Sequence, residues 1–146
     1  MVRFSNTVEI ARPRGEVFAY LADLEHTPEW NWAITETRKV TPGPVGVGTV
    51  YEQSRSVPRR AAETLTVRRF GVGELLELDG TLASLPVHLT YEFRDSGGGT
   101  SVVNTVQITA TGASRLLAGA AGKRIAAAVG ENLAVLKRIL EQGRHE

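Results

Sequence analysis

The chain has 146 residues, of which 42% are hydrophobic and 23% charged, with a formal net charge of +1 and no cysteine. This composition is typical of one globular domain over residues 1–146; it excludes disulfides and thiolate metal sites and shows no basic footprint for nucleic acid. No secretory leader opens the sequence, and no stretch reaches the ~18 apolar residues of a membrane-spanning helix. We therefore expect a cytoplasmic protein without stable membrane insertion.

The first segment predicts a strand followed by a short helix. Apolar and polar side chains alternate from Phe4 to Ile10, with Asn6 on the otherwise apolar face, which is the period of a half-buried strand. Pro13 cannot donate a hydrogen bond to a strand ladder but suits the first turn of a helix. Apolar side chains then recur at helical spacing from Val17 to Leu24, so this helix is expected to bury one face.

A second short helix is predicted directly after the first. Thr27 has the side chain of an N-cap, Pro28 fits the first helical position, and Glu29 is favoured near the positive end of the helix dipole. We expect this helix to turn Trp30 inward, and Trp32 is a second candidate for an inward position.

The segment from Ile34 to Ala110 predicts an antiparallel meander of six further strands. Runs rich in Thr, Val, Tyr and Leu are separated by turn signals such as Pro42-Gly43-Pro44, Asp79-Gly80 and Ser96-Gly97-Gly98-Gly99. No helical periodicity interrupts these runs, which favours antiparallel pairing over βαβ units.

The last segment, from Ser114 to Gln142, contains no proline and predicts one helix about 43 Å long. An apolar stripe recurs along it at intervals of three and four residues: Gly119, Gly122, Ala126, Val129, Leu133, Leu136 and Leu140. Glycine is disfavoured inside helices by roughly 0.8–1.0 kcal/mol relative to alanine, so the small first half of the stripe needs a reason. One explanation is that small residues allow a close approach to the sheet, or that this end of the helix is frayed. The other is that they leave volume for a pocket beneath this half of the helix.

Several polar strand residues are candidates for a position inside such a pocket. Tyr51, Gln53 and Arg55 alternate on one face of their strand, while Arg69 and Tyr91 accompany apolar faces farther along the chain. A tyrosine or arginine in an apolar pocket can hold a phenol, enol or carboxylate of a ligand, since an unpaired buried polar group is costly. The alternative is that the two arginines pair with glutamates such as Glu52 or Glu63 at the rim.

The histidines give little support for metal or acid–base chemistry. If Leu89 and Tyr91 face inward, His88 lies on the opposite, solvated face of the same strand. His26 falls at the junction of the two short helices. Three histidines so far apart in sequence lack the i, i+4 spacing of a zinc site, so we predict no metal and no cofactor.

Three stretches together resemble a known superfamily. They are the Pro13–Asp23 segment followed by His26-Thr-Pro-Glu-Trp30, the Gly46-Val-Gly48-Thr49 that opens the third strand, and the leucine-rich ending Leu133–Leu140. The chain resembles, over essentially its whole length, the START-like or SRPBCC superfamily of polyketide cyclases/dehydrases and lipid carriers with the Bet v 1-like fold. The resemblance implies an α+β helix-grip fold: a seven-stranded curved antiparallel sheet, two short helices after strand 1, and a long C-terminal helix over a central cavity.

This resemblance implies a pocket for a small apolar molecule that is lipid-, polyketide-, isoprenoid- or quinone-like, held by a carrier or sensor. An alternative is a polyketide cyclase or dehydratase that orients an enolate with Tyr51, Arg55, Arg69 or Tyr91. A second alternative is a protein-interaction platform without a ligand. The predicted cavity lining is Phe18, Trp30, Tyr51, Gln53, Arg55, Leu65, Val67, Arg69, Leu76, Leu89, Tyr91, Val103, Gly119, Gly122, Ala126 and Val129.

Overall fold

The computed structural model describes residues 2–82, 84–110 and 113–143, without the side chains of 113–120. The chain folds as a strand, two short helices, six strands and a long helix, which confirms the predicted order of elements. The bounds are β1 Val2–Ile10, α1 Arg14–Ala22, α2 Thr27–Trp30, β2 Ile34–Lys39, β3 Val50–Arg55, β4 Ala61–Gly71, β5 Leu75–Leu82, β6 Leu85–Ser96, β7 Gly99–Ile108 and α3 Ala113–Gln142. A single 3-10 turn, Leu24–His26, joins α1 to α2.

The seven strands form one curved antiparallel sheet in the order β1-β7-β6-β5-β4-β3-β2. Strands β2 to β7 follow one another as a meander, and β1 closes the order by pairing with β7 along its whole length, from Val2 opposite Ile108 to Ile10 opposite Thr100. Side chains alternate between the two faces, and one face, here called the concave face, carries the buried side chains against α3. This architecture is the predicted α+β helix-grip fold.

The two ends of the sheet differ. One end, here called the clasp end, carries α1 together with the β2–β3, β4–β5 and β6–β7 turns; Arg14 of α1 donates a 2.9 Å hydrogen bond to the carbonyl oxygen of Gly73 there. The other end, here called the open end, carries the β3–β4 and β5–β6 turns and the end of β7, from which α3 starts. Helix α3 therefore runs from the open end to the clasp end.

Helix α1 closes the clasp end with aromatic packing. Phe18 of α1 makes edge-to-face contacts with Phe70 and Phe93, whose ring centroids lie 5.3 and 5.1 Å away. Trp30 is buried as predicted, whereas Trp32 is 59% exposed, so its inward position was wrong. The helix ends at Trp30, and the extended backbone that follows turns the second tryptophan to solvent.

The start of α2 also differs from the prediction. Thr27 was predicted as the N-cap but is already helical, with φ −50° and ψ −43°, because the preceding 3-10 turn runs directly into the helix. No side chain caps α2, and Pro28 lies in its first turn as expected.

The C-terminal half of α3 anchors the helix to the sheet. Leu133, Leu136 and Leu140 are fully buried in the main core, and burial of each such side chain stabilises the fold by about 1.5–3 kcal/mol. No helix in the described ranges has the length and apolarity needed to cross a bilayer.

The glycines of α3 lie against β1. A Cβ atom on Gly122 would lie 3.2 Å from Cγ1 of Val2, and one on Gly130 would lie 3.2 Å from Oδ1 of Asn6. Of the two explanations considered for the small residues, the close approach of helix to sheet therefore applies at these two positions. The surroundings of Gly119 lie outside the described residues.

Candidate functional site

The concave face is packed tightly at the clasp end. The main core cluster there includes most of the fully buried side chains among the described residues: Ile10, Val17, Leu21, Tyr51, Val67, Leu76, Leu78, Val102, Leu133, Leu136 and Leu140. These side chains come from α1, from five strands and from the second half of α3. Such packing leaves no room for a ligand of any size, so this half of the concave face is structural.

The concave face is covered less completely at the open end. A second, smaller cluster is built on Val87, Val106 and Ile108, three buried residues on β6 and β7. The apolar side chains that pack against it face inward but are only partly buried: Val2, Phe4, Leu82, Leu85, Leu89 and Ile125. These apolar side chains therefore point to the interior and still retain exposure at the open end.

A buried polar network lies on the same face, on strands β3 and β4. Glu63 is buried and accepts a 2.9 Å hydrogen bond from Nε2 of Gln53 and a 2.9 Å charged hydrogen bond from Nε of Arg55. Both carboxylate oxygens are thereby engaged, which a buried charge requires. The predicted pairing of Arg55 with a glutamate is confirmed, and the pair lies within the concave face rather than at an exposed rim.

Two tyrosines on this face are neutral over the physiological range. Burial, followed by the charge of Asp23, raises the pKa of Tyr51 to about 12, and the backbone of Leu24 opposes this shift. Burial alone raises the pKa of Tyr91 to about 12. The hydroxyl of Tyr51 makes no hydrogen bond of normal geometry. Both hydroxyl groups are therefore uncharged and can donate a hydrogen bond.

Two asparagines and Tyr91 lie in register across β1, β7 and β6 and form a row of polar side chains. Asn6 lies directly opposite Asn104, which in turn lies opposite Tyr91. Nδ2 of Asn6 donates to the carbonyl oxygen of Ala126 in α3 (3.1 Å), and Nδ2 of Asn104 donates to that of Thr90 (3.3 Å). Oδ1 of Asn104 is buried and has no partner. Asn104 and Glu63 were not among the predicted site residues, although alternation along their strands puts both on the buried face.

Most of the predicted lining residues face the concave side. Nine are buried: Phe18, Trp30, Tyr51, Gln53, Leu65, Val67, Leu76, Tyr91 and Gly122. Four are half-buried: Arg55, Leu89, Ala126 and Val129. The structure thus brings these side chains onto one face, but Phe18, Val67 and Leu76 fill the tightly packed clasp half rather than the open half.

Two predicted lining residues, Arg69 and Val103, lie on the convex face, so their placement in the lining was wrong. The ladder between β4 and β5 shifts register between Val67 and Arg69, so Arg69 follows the bulge to the outside, with its guanidinium 3.6 Å from the carboxylate of Glu77. Val103 alternates with the buried residues of β7 and pairs with Thr7, an exposed position. The run of two valines on β7 left the phase of the alternation ambiguous.

The convex face carries a charge cluster around His88. Its Nδ1 lies 2.6 Å from Asp79 and its Nε2 3.1 Å from Glu77, and Arg68 also pairs with Asp79 at 2.7 Å. The hydrogen bond with His88, and then that with Arg68, holds the pKa of Asp79 below its usual value. The predicted outward position of His88 is confirmed, but the ring is half-buried between carboxylates rather than freely solvated. No three His, Cys, Asp or Glu side chains in the described residues are placed to hold a metal.

Two surface depressions lie away from the concave face. One, of about 270 Å³, is lined at the clasp end by Glu9, Lys137, Glu141 and the β6–β7 turn. The other, of about 230 Å³, lies over β2, β3 and β4 with Arg38, Glu52 and Thr64 in its wall. Lys137 in the first is already engaged by Glu141 (2.7 Å), and Arg38 in the second by Glu52 (2.8 Å). Their cations are therefore satisfied within the chain.

Solved structures share this fold at low sequence identity. The di-domain ARO/CYC StfQ of the steffimycin biosynthetic pathway matches with a TM-score of 0.77 at 13% identity, over 97% of this chain and 51% of that one. A protein of Chromobacterium violaceum matches with 0.76 at 10% identity, over 97% and 99% of the two chains. Ara h 8.0201 matches with 0.64 at 16% identity, over 92% and 97%. These likenesses show the fold.

The family is shown by the sequence itself. No curated protein sequence matches the chain significantly. Residues 1–141 match the sequence profile of one family, and this match covers nearly the whole chain. The chain belongs to the polyketide cyclase/dehydrase and lipid transport family.

Proposed function

We propose that the protein binds a small apolar molecule between the open half of the sheet and the N-terminal half of α3, as a carrier or sensor. The observation that carries the proposal is the contrast in packing along the concave face. The clasp half is fully buried, whereas inward-facing apolar side chains such as Phe4, Leu89 and Ile125 remain partly exposed at the open end. Apolar surface left open in this way is stabilised by an apolar occupant.

The chemistry of the surrounding side chains suits a lipid-, polyketide-, isoprenoid- or quinone-like molecule. The walls consist of valine, leucine, isoleucine and phenylalanine, which favour such molecules without selecting among them. Membership in a family of cyclases/dehydrases and lipid transporters supports this class of ligand.

The polar side chains favour binding over catalysis. Of the groups that a cyclase or dehydratase was expected to use, Arg69 lies on the convex face and Arg55 is held by Glu63. Two tyrosines remain on the concave face, and their raised pKa values make both poor bases near neutral pH. A binding role needs only shape and apolar lining, so we place it first.

A titration with the fluorescent probe 1-anilinonaphthalene-8-sulfonate tests the proposal. Ile125→Trp places a large ring on the sheet side of α3, where the parent side chain is half-buried against the open-end cluster, and Ala127→Trp places the same ring on the exposed side as a matched control. We expect one saturable site in the parent, weakened about tenfold or more by the first change and unaffected by the second. Circular dichroism verifies that both variants are folded. A parent protein without a saturable site, or equal binding by all three, contradicts the proposal.

A further inference from the structure

We infer that the bound molecule carries a neutral oxygen, as a hydroxyl or carbonyl group, that accepts a hydrogen bond from the hydroxyl of Tyr91. This inference rests on the proposed function, because it concerns a ligand of the same space. It adds to that function a requirement that apolar lining does not impose: one polar atom at a defined place in an otherwise apolar molecule.

The first support is the state of the Tyr91 hydroxyl. The residue is 9% exposed, faces the concave side from the middle of β6, and lies opposite Leu76 on one side and Asn104 on the other. Burial is the one cause of its raised pKa, with no contribution from a hydrogen bond or a charge. A buried hydroxyl without a partner costs about 1–3 kcal/mol, a cost that a hydrogen bond to a ligand oxygen would offset.

The other two tyrosines differ from Tyr91 in their surroundings. Tyr20 donates a short hydrogen bond to the carboxylate of Glu29. The hydroxyl of Tyr51 is buried without a hydrogen-bond partner, but it lies toward the clasp end, where, besides burial, the charge of Asp23 and the backbone of Leu24 influence its pKa. No polar group of the described residues influences the ionisation of Tyr91.

The second support is the neighbouring acceptor. Oδ1 of Asn104, directly across the ladder from Tyr91, is buried and also lacks a partner. Side chains in directly opposite positions have Cβ atoms about 4.5–5.5 Å apart, so the two groups belong to one small region of the face. An unmet donor and an unmet acceptor in the same region suit a hydroxyl group, which can serve both, alone or with a bridging water.

The third support concerns charge. No positively charged group lowers the pKa of Tyr91, and Arg55, a cation on this face, already has its Nε on Glu63. A carboxylate placed beside Tyr91 would lose its hydration without gaining a counter-ion. The oxygen is therefore expected to be neutral.

Three probes of the same ring system test the inference by calorimetric or fluorescence titration. They are 2-methylnaphthalene without a polar atom, 2-naphthol with a neutral hydroxyl, and 2-naphthoate with a charged carboxylate. For the parent protein we expect 2-naphthol to bind about tenfold or more tighter than 2-methylnaphthalene, and 2-naphthoate to bind most weakly. Tyr91→Phe removes only the hydroxyl and should abolish the preference for 2-naphthol while 2-methylnaphthalene binds as before.

Tyr51→Phe is the matched control, since it removes the hydroxyl of another buried tyrosine on the same face and should leave the preference unchanged. Without ligand, Tyr91→Phe should be at least as stable as the parent, because it removes an unpartnered buried group. Equal binding of 2-naphthol and 2-methylnaphthalene overturns the inference and leaves the proposed function standing. Tightest binding of 2-naphthoate, or a preference that survives Tyr91→Phe, also overturns it. If no naphthalene probe binds, the Tyr91 hydroxyl does not face ligand space and the inference fails, while the anilinonaphthalene titration decides the proposed function separately.

Discussion

Removal of the Glu63 carboxylate should be among the most destabilising changes in this chain, because its ion pair with Arg55 is buried. The side chains of Arg55 and Glu63 are 13% and 2% exposed, and the atoms Nε and Oε2 lie 2.9 Å apart. Glu63→Ala leaves the guanidinium largely buried without a counter-ion and also removes the acceptor of Gln53. Breaking a buried pair in this way costs about 3–5 kcal/mol, which for a domain of this size lowers Tm by about 10–15 °C.

A pair on the opposite face of the sheet, between β2 and β3, provides the control. Arg38 and Glu52 approach to 2.8 Å, but their side chains are 62% and 55% exposed. Glu52→Ala should therefore cost only about 0–1 kcal/mol. Urea unfolding followed by circular dichroism measures both free energies. Equal losses would refute the reasoning that burial, rather than distance, sets the strength of the effect. A double change, Arg55→Met with Glu63→Ala, should recover part of the loss, because no buried charge is left unpaired.

Three further predictions concern pH and packing. Burial raises the pKa of Tyr91 to about 12, so the free energy of unfolding that depends on its neutral form is fully present below about pH 10 and lost toward pH 12. A phenolate absorbance change at pH 10 from all tyrosines of the folded protein would contradict this prediction. The hydrogen bond with His88 lowers the pKa of Asp79. The contribution of Asp79 to the free energy of unfolding is therefore present above its ordinary pKa of 3.8 and lost as pH falls through the lowered pKa. Asp79→Asn should flatten the acid limb of a stability–pH curve, and an unchanged limb would contradict this prediction. Gly80→Ala would place Cβ 2.5 Å from a leucine methyl and 2.7 Å from a backbone oxygen of β4, which should lower the free energy of unfolding in denaturant by about 1–3 kcal/mol. Gly46→Ala, with open space around it, should cost little. Equal losses for the two variants would contradict the close packing at Gly80.

The fold was predictable from the sequence because its signals are local and repeated. Alternation in β1, the proline at the start of the first helix and the glycine-rich turns each depend on a few neighbouring residues, and they agree with one another. The long helix followed from an uninterrupted stripe that ends in leucines, which the structure buries. Resemblance to a superfamily then supplied the way these elements assemble.

The candidate site was less predictable, because it depends on register and on contacts between distant segments. The bulge that turns Arg69 outward has no signature in its own stretch of sequence. Two consecutive valines hid the phase of β7 and led to the wrong face for Val103. Asn104 was overlooked, and Glu63 was expected at the rim rather than inside, because a polar residue in a strand is usually taken to face solvent; here hydrogen bonds make the burial of both possible. The close approach of the helix to β1 at Gly122 and Val2 joins residues that are far apart in the chain.

The location of a bound apolar molecule is the central claim, and intermolecular NMR contacts test it most directly. With 1-anilinonaphthalene-8-sulfonate bound to protein carrying labelled methyl groups, we predict nuclear Overhauser effects from the probe to Leu89 and Ile125 at the open end of the concave face. Contacts confined to exposed side chains such as Val47 and Val72, with none to the concave face, would contradict the account.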